Sequence, residues 1–206
     1  MSRRHYKPPI PLLPAEYRQV KYIESSGTQY IDTGVVVTQE YFKIIDDIYI
    51  YSTTVQAAAT FGKYSVYNYK LRTSYGNSLL YIYPGSSSIV APLYKTSNIR
   101  AVHTAIIDNN SVTNSFGTTT TQATYNGTIV DGSSLFLFAY RNYNGSVSGH
   151  SIMRRYRCKM YTAEDVLARD FVPCYRIADT KPGLYDIVNN VFYINQGTGD
   201  DFIIGA

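Results

Sequence analysis

The chain has no tryptophan, two cysteines, and a charged fraction of 17%, well under the roughly 25% of an ordinary globular protein. Each scarcity removes a class. Two cysteines, Cys158 and Cys174, cannot form a disulfide scaffold and have no metal-ligand spacing; two reduced, packed thiols are expected, with a single disulfide between them as the alternative. The apolar runs, such as Leu135 to Tyr140, fall far short of the roughly 20 residues a membrane-spanning helix needs. The basic start is followed by Pro-Pro-Ile-Pro-Leu-Leu-Pro over 8–14 rather than an uninterrupted apolar stretch, so no secretory signal is expected and the chain is expected to be soluble and made in a cytoplasm.

Catalytic groupings are equally scarce. His5, His103 and His150 stand apart from one another, with no acid or cysteine at ligand spacing. There is no Gly-x-Ser-x-Gly elbow and no phosphate-cradling glycine loop. Asp46 and Asp47 are adjacent on an extended run and so point to opposite faces, one of them toward the interior. Two oxygen clusters, Asp108-Asn109-Asn110 and Asp200-Asp201, have the composition of calcium loops, but Asx turn chemistry accounts for both. The expectation is a chain that is no enzyme and holds no cofactor and no metal.

What the sequence has is tyrosine, 22 of them in 206 residues, spread over short β-type runs. Tyrosine has high β propensity and an amphipathic ring, which suits a many-stranded protein with a sticky, nearly uncharged exterior. Tyr41 to Tyr51 alternates cleanly, with Phe42, Ile44, Ile48 and Ile50 on one face and Tyr41, Lys43, Tyr49 and Tyr51 on the other. Val20 to Glu24 and Thr28 to Thr33 flank Ser25-Ser26-Gly27 and read as a hairpin. Ser134 to Tyr140 is apolar on both faces and belongs at the centre of a sheet, while Asn109 to Gln122 reads as a long polar loop. One helix is expected, over Thr162 to Arg169, from its capping-type threonine, acids in the first turn and terminal arginine. In Arg154-Arg155-Tyr156-Arg157, simple alternation puts Arg155 and Arg157 on one face and Arg154 on the other, with a solvated face or ion pairs to Asp170 and its neighbours as the expected role.

The fold expected is all-β, a double-sheet jelly roll or sandwich over 20–206, preceded by an extended arm over 1–19. Four of the eight prolines lie in the first 14 residues, which keeps that stretch out of helices and central strands, with a reach of about 40 Å at polyproline rise. A disordered leader is one reading. The favoured one is an anchoring arm in which Arg3, Arg4 and Lys7 supply charge and Ile10, Leu12 and Leu13 apolar contacts to a partner. Net charge is only +4, and Arg3, Arg4, Lys7 and His5 form a basic tip that leaves the body nearly neutral and without a basic stripe, so neither nucleic acid nor membrane is an expected partner. Tyr64, Tyr67, Tyr69 and Tyr75, with the polar loop carrying Arg141 and Tyr143, are candidate glycan or subunit contacts, or ordinary sheet cover.

Two stretches carry a resemblance. Leu13 to Gly34, reading LPAEYRQVKYIESSGTQYIDTG, resembles the opening hairpin of concanavalin A-like, laminin-G-type jelly-roll domains. Arg169 to Arg176 (RDFVPCYR), Gly183 to Tyr193 (GLYDIVNNVFY) and Gly197 to Gly199 resemble the closing signature of the same group, and Phe136 to Tyr140 and Arg157 to Tyr161 match its late strands, so the resemblance spans about 13–206. It implies a jelly roll in the context of phage virion proteins or gut-bacterial surface proteins. With only a short basic arm beside it, the expectation is a virion component, a head fibre, decoration or tail-associated protein. It would be held to other capsid or tail proteins by the arm and assembled as a homo-oligomer, with a trimer favoured. Lectin-like binding of a surface glycan is the alternative. The glycosidases of that fold use a Glu-x-Asp-x-x-Glu strand, and the four glutamates here, Glu16, Glu24, Glu40 and Glu164, do not make one. The resemblance makes Gly27 and Gly34 turn residues, Asp32 a carboxylate bonding backbone amides, and Pro173 an edge or bulge residue.

Overall fold

A computed structural model describes residues 13–37, 40–51, 59–63, 69–74, 77–82, 89–92, 99–109, 111–124, 133–142 and 144–206. In chain order its strands are β1 (Tyr17–Gln19), β2 (Tyr22–Ser26), β3 (Ile31–Val36), β4 (Tyr41–Ile50), β5 (Ala59–Lys63), β6 (Tyr69–Ser74), β7 (Asn77–Ile82), β8 (Ile89–Pro92), β9 (Ile99–Asp108) and β10 (Ser111–Phe116). There follow β11 (Thr119–Thr124), β12 (Ser134–Leu137), β13 (Tyr140–Arg141), β14 (Val147–Ser148), β15 (Ile152–Ala163), β16 (Val166–Arg176), β17 (Pro182–Asp186), β18 (Val191–Ile194) and β19 (Ile203–Gly205). Among the described residues there is no helix.

These strands build an 11-stranded sheet ordered β11-β10-β9-β4-β15-β16-β17-β18, with β2 beside β15, β19 beside β2, and β1 beside β16. The second sheet has 8 strands, with β14-β13-β5-β6-β7-β8 in order and β12 inserted between β3 and β5. Among the described residues all pairings are antiparallel except a single parallel bridge from Arg141 to Lys63. One apolar core lies between the sheets. Phe42, Ile44, Ile48, Met153, Cys158 and Phe171 reach into it from the larger sheet, and Ile31, Val35, Phe61, Leu135 and Leu137 from the smaller. The architecture is therefore an all-β sandwich of two largely antiparallel sheets.

Alternation accounts for most of this placement. On β4 the inward residues Phe42, Ile44, Asp46 and Ile48 are all buried, and the outward ones half-exposed. Leu135 through Ala139 are all buried; β12 is paired at both edges, by β3 and β5, and Tyr30 covers Phe136 on the outer face. Pro173 falls between the pairing of β16 with β15, which ends at Phe171, and its pairing with β1, which starts at Cys174. A residue without an N–H is tolerated at such a gap. Gly34 takes φ 68 within β3, where the register with β12 shifts, and its N–H donates to Asp32 Oδ1.

Four expectations need correction. The stretch 162–169 is no helix: β15 and β16 form a hairpin joined at Glu164-Asp165, with Asp165 in the left-handed region at φ 57. The same capping-type and acidic residues serve a tight turn as readily as a helix start, and the cross-strand pairing of two long strands decides. Ser25-Ser26-Gly27 does not close a hairpin, because β2 belongs to the larger sheet and β3 to the smaller. The chain crosses between layers there, with Gly27 at φ 109 and the Gln29 carboxamide accepting from the Ser26 and Thr28 amides. The polar loop over 109–122 is instead the hairpin of β10 and β11, its inward residues Val112, Asn114 and Phe116 buried and its outer face a threonine and serine ladder. Finally, Tyr156 is an extra residue against β4, where Arg155 pairs Ile48 and Arg157 already pairs Asp47. This bulge resets the alternation, so Arg155 points inward and Arg157 shares the outer face with Arg154.

Residues 13–19 are packed on the body. Leu13 is 9% exposed and sits with Val172, Cys174 and Tyr185 on the outer side of β16 and β17. Tyr17 packs between Tyr185 and Phe192, ring centres 4.7 and 4.9 Å away and tilted by 49°, and its N–H donates to the Pro14 carbonyl.

Candidate binding surface

The outward residues of four neighbouring strands make a continuous aromatic and guanidinium surface on the larger sheet. β4 supplies Tyr49 and, just beyond it, Tyr51; β2 supplies Tyr22; β9 supplies Arg100; and β15 supplies Arg154 and the bulged Tyr156. The Arg100 guanidinium lies 3.7 Å over the Tyr156 ring, which meets Tyr22 at 5.3 Å. Arg154 sits amid Tyr22, Tyr49 and Tyr51 at 4.5, 5.3 and 5.4 Å. Each cation has its own carboxylate: Arg100 grips Asp47 with both Nε and Nη2, and Arg154 Nε donates to Glu24 at 2.7 Å. Tyr51 Oη donates to the other Glu24 oxygen. Burial, and then Glu24, push the Tyr51 phenol up to about 12, so it stays a neutral donor, while the bond from Glu24 raises Arg154 further above its already high range.

Two arginines against two acids leave this surface formally neutral. Its chemistry is stacking and hydrogen bonding by rigid side chains, the kind of surface that binds a partner at low entropy cost. Alongside it, Arg157 clasps Asp170 through Nε and Nη2 at 2.8 and 2.7 Å, the ion pair expected of the arginine cluster.

Directly behind lies a buried polar group. Arg155 and Asp46, both 0% exposed, form a two-bond ion pair at 2.8 and 2.7 Å, and Arg155 Nη2 also donates to the Thr60 carbonyl across the sandwich. His103 is the cross-strand neighbour of Asp46 and its Nε2 donates to Asn114 Oδ1 at 2.5 Å. Burial drives His103 down to about 4, a neutral ring at physiological pH. It pushes the Cys158 thiol well up and Cys174 to about 12, so both cysteines are protonated, buried and not in a disulfide.

A second, smaller aromatic group lies on the other sheet. Phe136 is the cross-strand neighbour of Asp32 and stacks on Tyr30 at 4.9 Å; Tyr30 meets His150 edge-on at 6.2 Å, and the Arg141 guanidinium lies 5.9 Å from the Phe136 ring. Asn142 donates to Ser146 and Ser148 beside it. A groove of about 400 Å³ between β1 and β19 is lined by Arg18, Lys21, Tyr175 and Ile204 among others, with no acid, histidine or thiol in its wall.

Of the residues singled out from sequence, Arg141 belongs to the Phe136 group and Leu13 to the packed start of the body. Tyr69 lies on β6, of which the backbone is described. Arg3, Arg4, Lys7, Ile10, Leu12, Tyr64, Tyr67, Tyr75 and Tyr143 lie outside the described residues. The larger tyrosine and arginine surface was not anticipated. Its signal was in the sequence, since Tyr49 and Tyr51 share the outward face of an obvious strand, but joining them to Tyr22, Arg100 and Tyr156 requires the register of four strands.

Of the two oxygen clusters, Asp108, Asn109, Asp200 and Asp201 are described, and Asn110 lies outside the described residues. Asn109 takes φ 50 and its side chain donates to Asp108; the Asp200 carbonyl accepts from Gln29 and Asn195, and Asp201 pairs with Lys181. Among the described residues no three His, Cys, Asp or Glu side chains gather as metal ligands. Comparison with known protein families and with curated proteins gives no match for this chain.

Proposed function

We propose that the chain is a structural component of a bacteriophage particle, a head fibre, decoration or tail-associated protein without chemistry of its own. Its body is read as a concanavalin A-like jelly roll, attached to capsid or tail proteins through its N-terminal residues. The observation that carries this reading is the seating of Leu13 and Tyr17 on Val172, Cys174, Tyr185 and Phe192. A proline-rich, basic leader is useful as a tether when the residue that follows it is fixed, because pull on the arm then reaches a rigid body. Non-sequential neighbours, with β4 between β9 and β15 and β19 against β2, support the jelly-roll reading of the sandwich. The neutral tyrosine and arginine surface suits contact with a second copy of the chain, the proposed trimer.

The experiment is to purify particles carrying either the full chain or a chain lacking residues 1–12. The shortened protein should melt at the same temperature and be missing from the particles. Incorporation equal to that of the full chain would sink the reading.

The alternative, a lectin-like module, is favoured by one observation: Tyr30, Arg141 and His150 gather an aromatic ring, a guanidinium and an imidazole over the buried Phe136, beside Asn142. A glycan array reads it. Binding that Arg141→Ala abolishes would promote it, and no binding at millimolar sugar would remove it.

A further inference from the structure

The groove between β1 and β19, at about 400 Å³, falls within the roughly 300–1,000 Å³ of clefts that hold ligands. The strand registers say which side chains face it. On β16, Phe171 belongs to the core, so by alternation Tyr175 faces the same side, and Arg18 is its partner on β1. On β19, Ile204 is the partner of the core residue Ile23. The side that is apolar core at Phe171 and Ile23, both 0% exposed, thus runs on to a rim where Arg18 is exposed and Ile204 keeps 45% exposure. Lys21 stands at the bend between β1 and β2 and is tied to β19 by its N–H, which donates to the Gly205 carbonyl at 2.9 Å.

Charge sets this groove apart. Eight described arginine and lysine side chains are paired with a carboxylate, but neither Arg18 nor Lys21 is, and the Ala206 carboxylate in the same wall is within ion-pair distance of neither. The Val20 and Lys21 amides are already spent on the Pro173 and Gly205 carbonyls, so recognition falls to side chains.

We infer that this groove binds carboxylates carried on short aliphatic stems, an aspartate- or glutamate-rich segment of a partner protein. Arg18 offers the planar fork that takes both oxygens of a carboxylate, Lys21 a second positive charge, Tyr175 a hydroxyl donor, and Val20 and Ile204 a surface for the methylenes. Two cations in a short cleft are too few to follow a phosphate backbone. The chain's own leader does not suit the groove, since Arg3, Arg4 and Lys7 would meet like charge. For the source of the segment the inference rests on the attached-component reading: β1 follows directly on the seated Leu13, so a capsid or tail protein that receives the arm would reach the groove at its root.

Fluorescence anisotropy of a labelled hexaglutamate peptide against the full chain tests the groove without a particle. Binding should weaken with salt and fall about tenfold in Arg18→Gln/Lys21→Gln, and Ile204→Glu, which sets a carboxylate in the wall, should abolish it. All three positions are exposed, so both variants should melt with the parent. Because the leader is itself basic, Arg3→Gln/Arg4→Gln/Lys7→Gln is the control and should bind as the parent does. No peptide binding, parent-like affinity in either groove variant, binding lost with the leader charges instead, or tighter binding of a thymidine oligonucleotide than of the peptide would each overturn the inference. Particle incorporation separates it from the reading it rests on: a chain lacking residues 1–12 that still incorporates removes the tether and leaves the groove standing, whereas absent peptide binding removes the groove alone.

Discussion

Arg154 and Arg155 are neighbours in the chain, and each is held by a carboxylate at 2.7 to 2.8 Å, yet they stand in opposite media. Arg154 is 29% exposed among three tyrosine rings, whereas Arg155 is 0% exposed between the sheets. Asp46 and Asp47 on β4 repeat the contrast, the first serving Arg155 and the second Arg100. Identical pairing chemistry therefore has two consequences. On the outer face the desolvation cost is small and so is the gain, so losing one member of a pair there changes stability little. In the interior each charge depends on its partner, so the pair specifies the packing more than it stabilises it.

The comparison breaks most sharply at Arg155. Arg155→Ala leaves the Asp46 carboxylate buried and alone and should cost about 3–5 kcal/mol in a denaturant titration, whereas Asp46→Leu combined with Arg155→Met should recover most of it. If the single and double variants are equally damaged, the pair is not the source of the loss.

The next effect is acid sensitivity of the interior. The His103 ring titrates at about 4 folded against an ordinary 6.5, so the unfolded chain takes up the proton first. Stability from the neutral ring is complete above about 6.5 and lost as pH falls toward 4, a change of up to about 3 kcal/mol at 1.36 kcal/mol per unit. Half-buried His150, also pushed down by burial, adds in the same direction. The pH dependence of the parent minus that of His103→Gln isolates the His103 part; superimposable curves would refute it.

Smaller still is Leu13→Ala, which opens the satellite core under the start of the body at about 2 kcal/mol, the low end for a leucine at its margin. Smallest is Arg154→Ala, which should change stability by less than about 1 kcal/mol while altering association of the chain with itself, read by sedimentation. A large loss of stability from Arg154→Ala would erase the distinction between the two faces.

Much of this contrast is legible in β4, where strict alternation over ten residues announces which of Asp46 and Asp47 goes inside. It was illegible in β15, because one extra residue at Tyr156 reverses every assignment after it, and a bulge has no local signature when both flanking residues are arginines. The turn at Glu164-Asp165 was misread for a related reason: short-range capping chemistry is common to helices and hairpins, and only pairing with a distant partner separates them. Strand identity lies in neighbours along the chain. Which strands meet, and so which tyrosines gather, lies in contacts more than a hundred residues apart, as between Arg154 and Glu24.

The proposal that residues 1–12 attach a passive body to a particle is tested most directly by competition. Full-length protein bound to particles is challenged with a peptide of residues 1–12 or with the body from residue 13 onward, and the displaced protein is measured by co-sedimentation. The account predicts that the peptide displaces it and the body does not. Displacement by the body alone would contradict it.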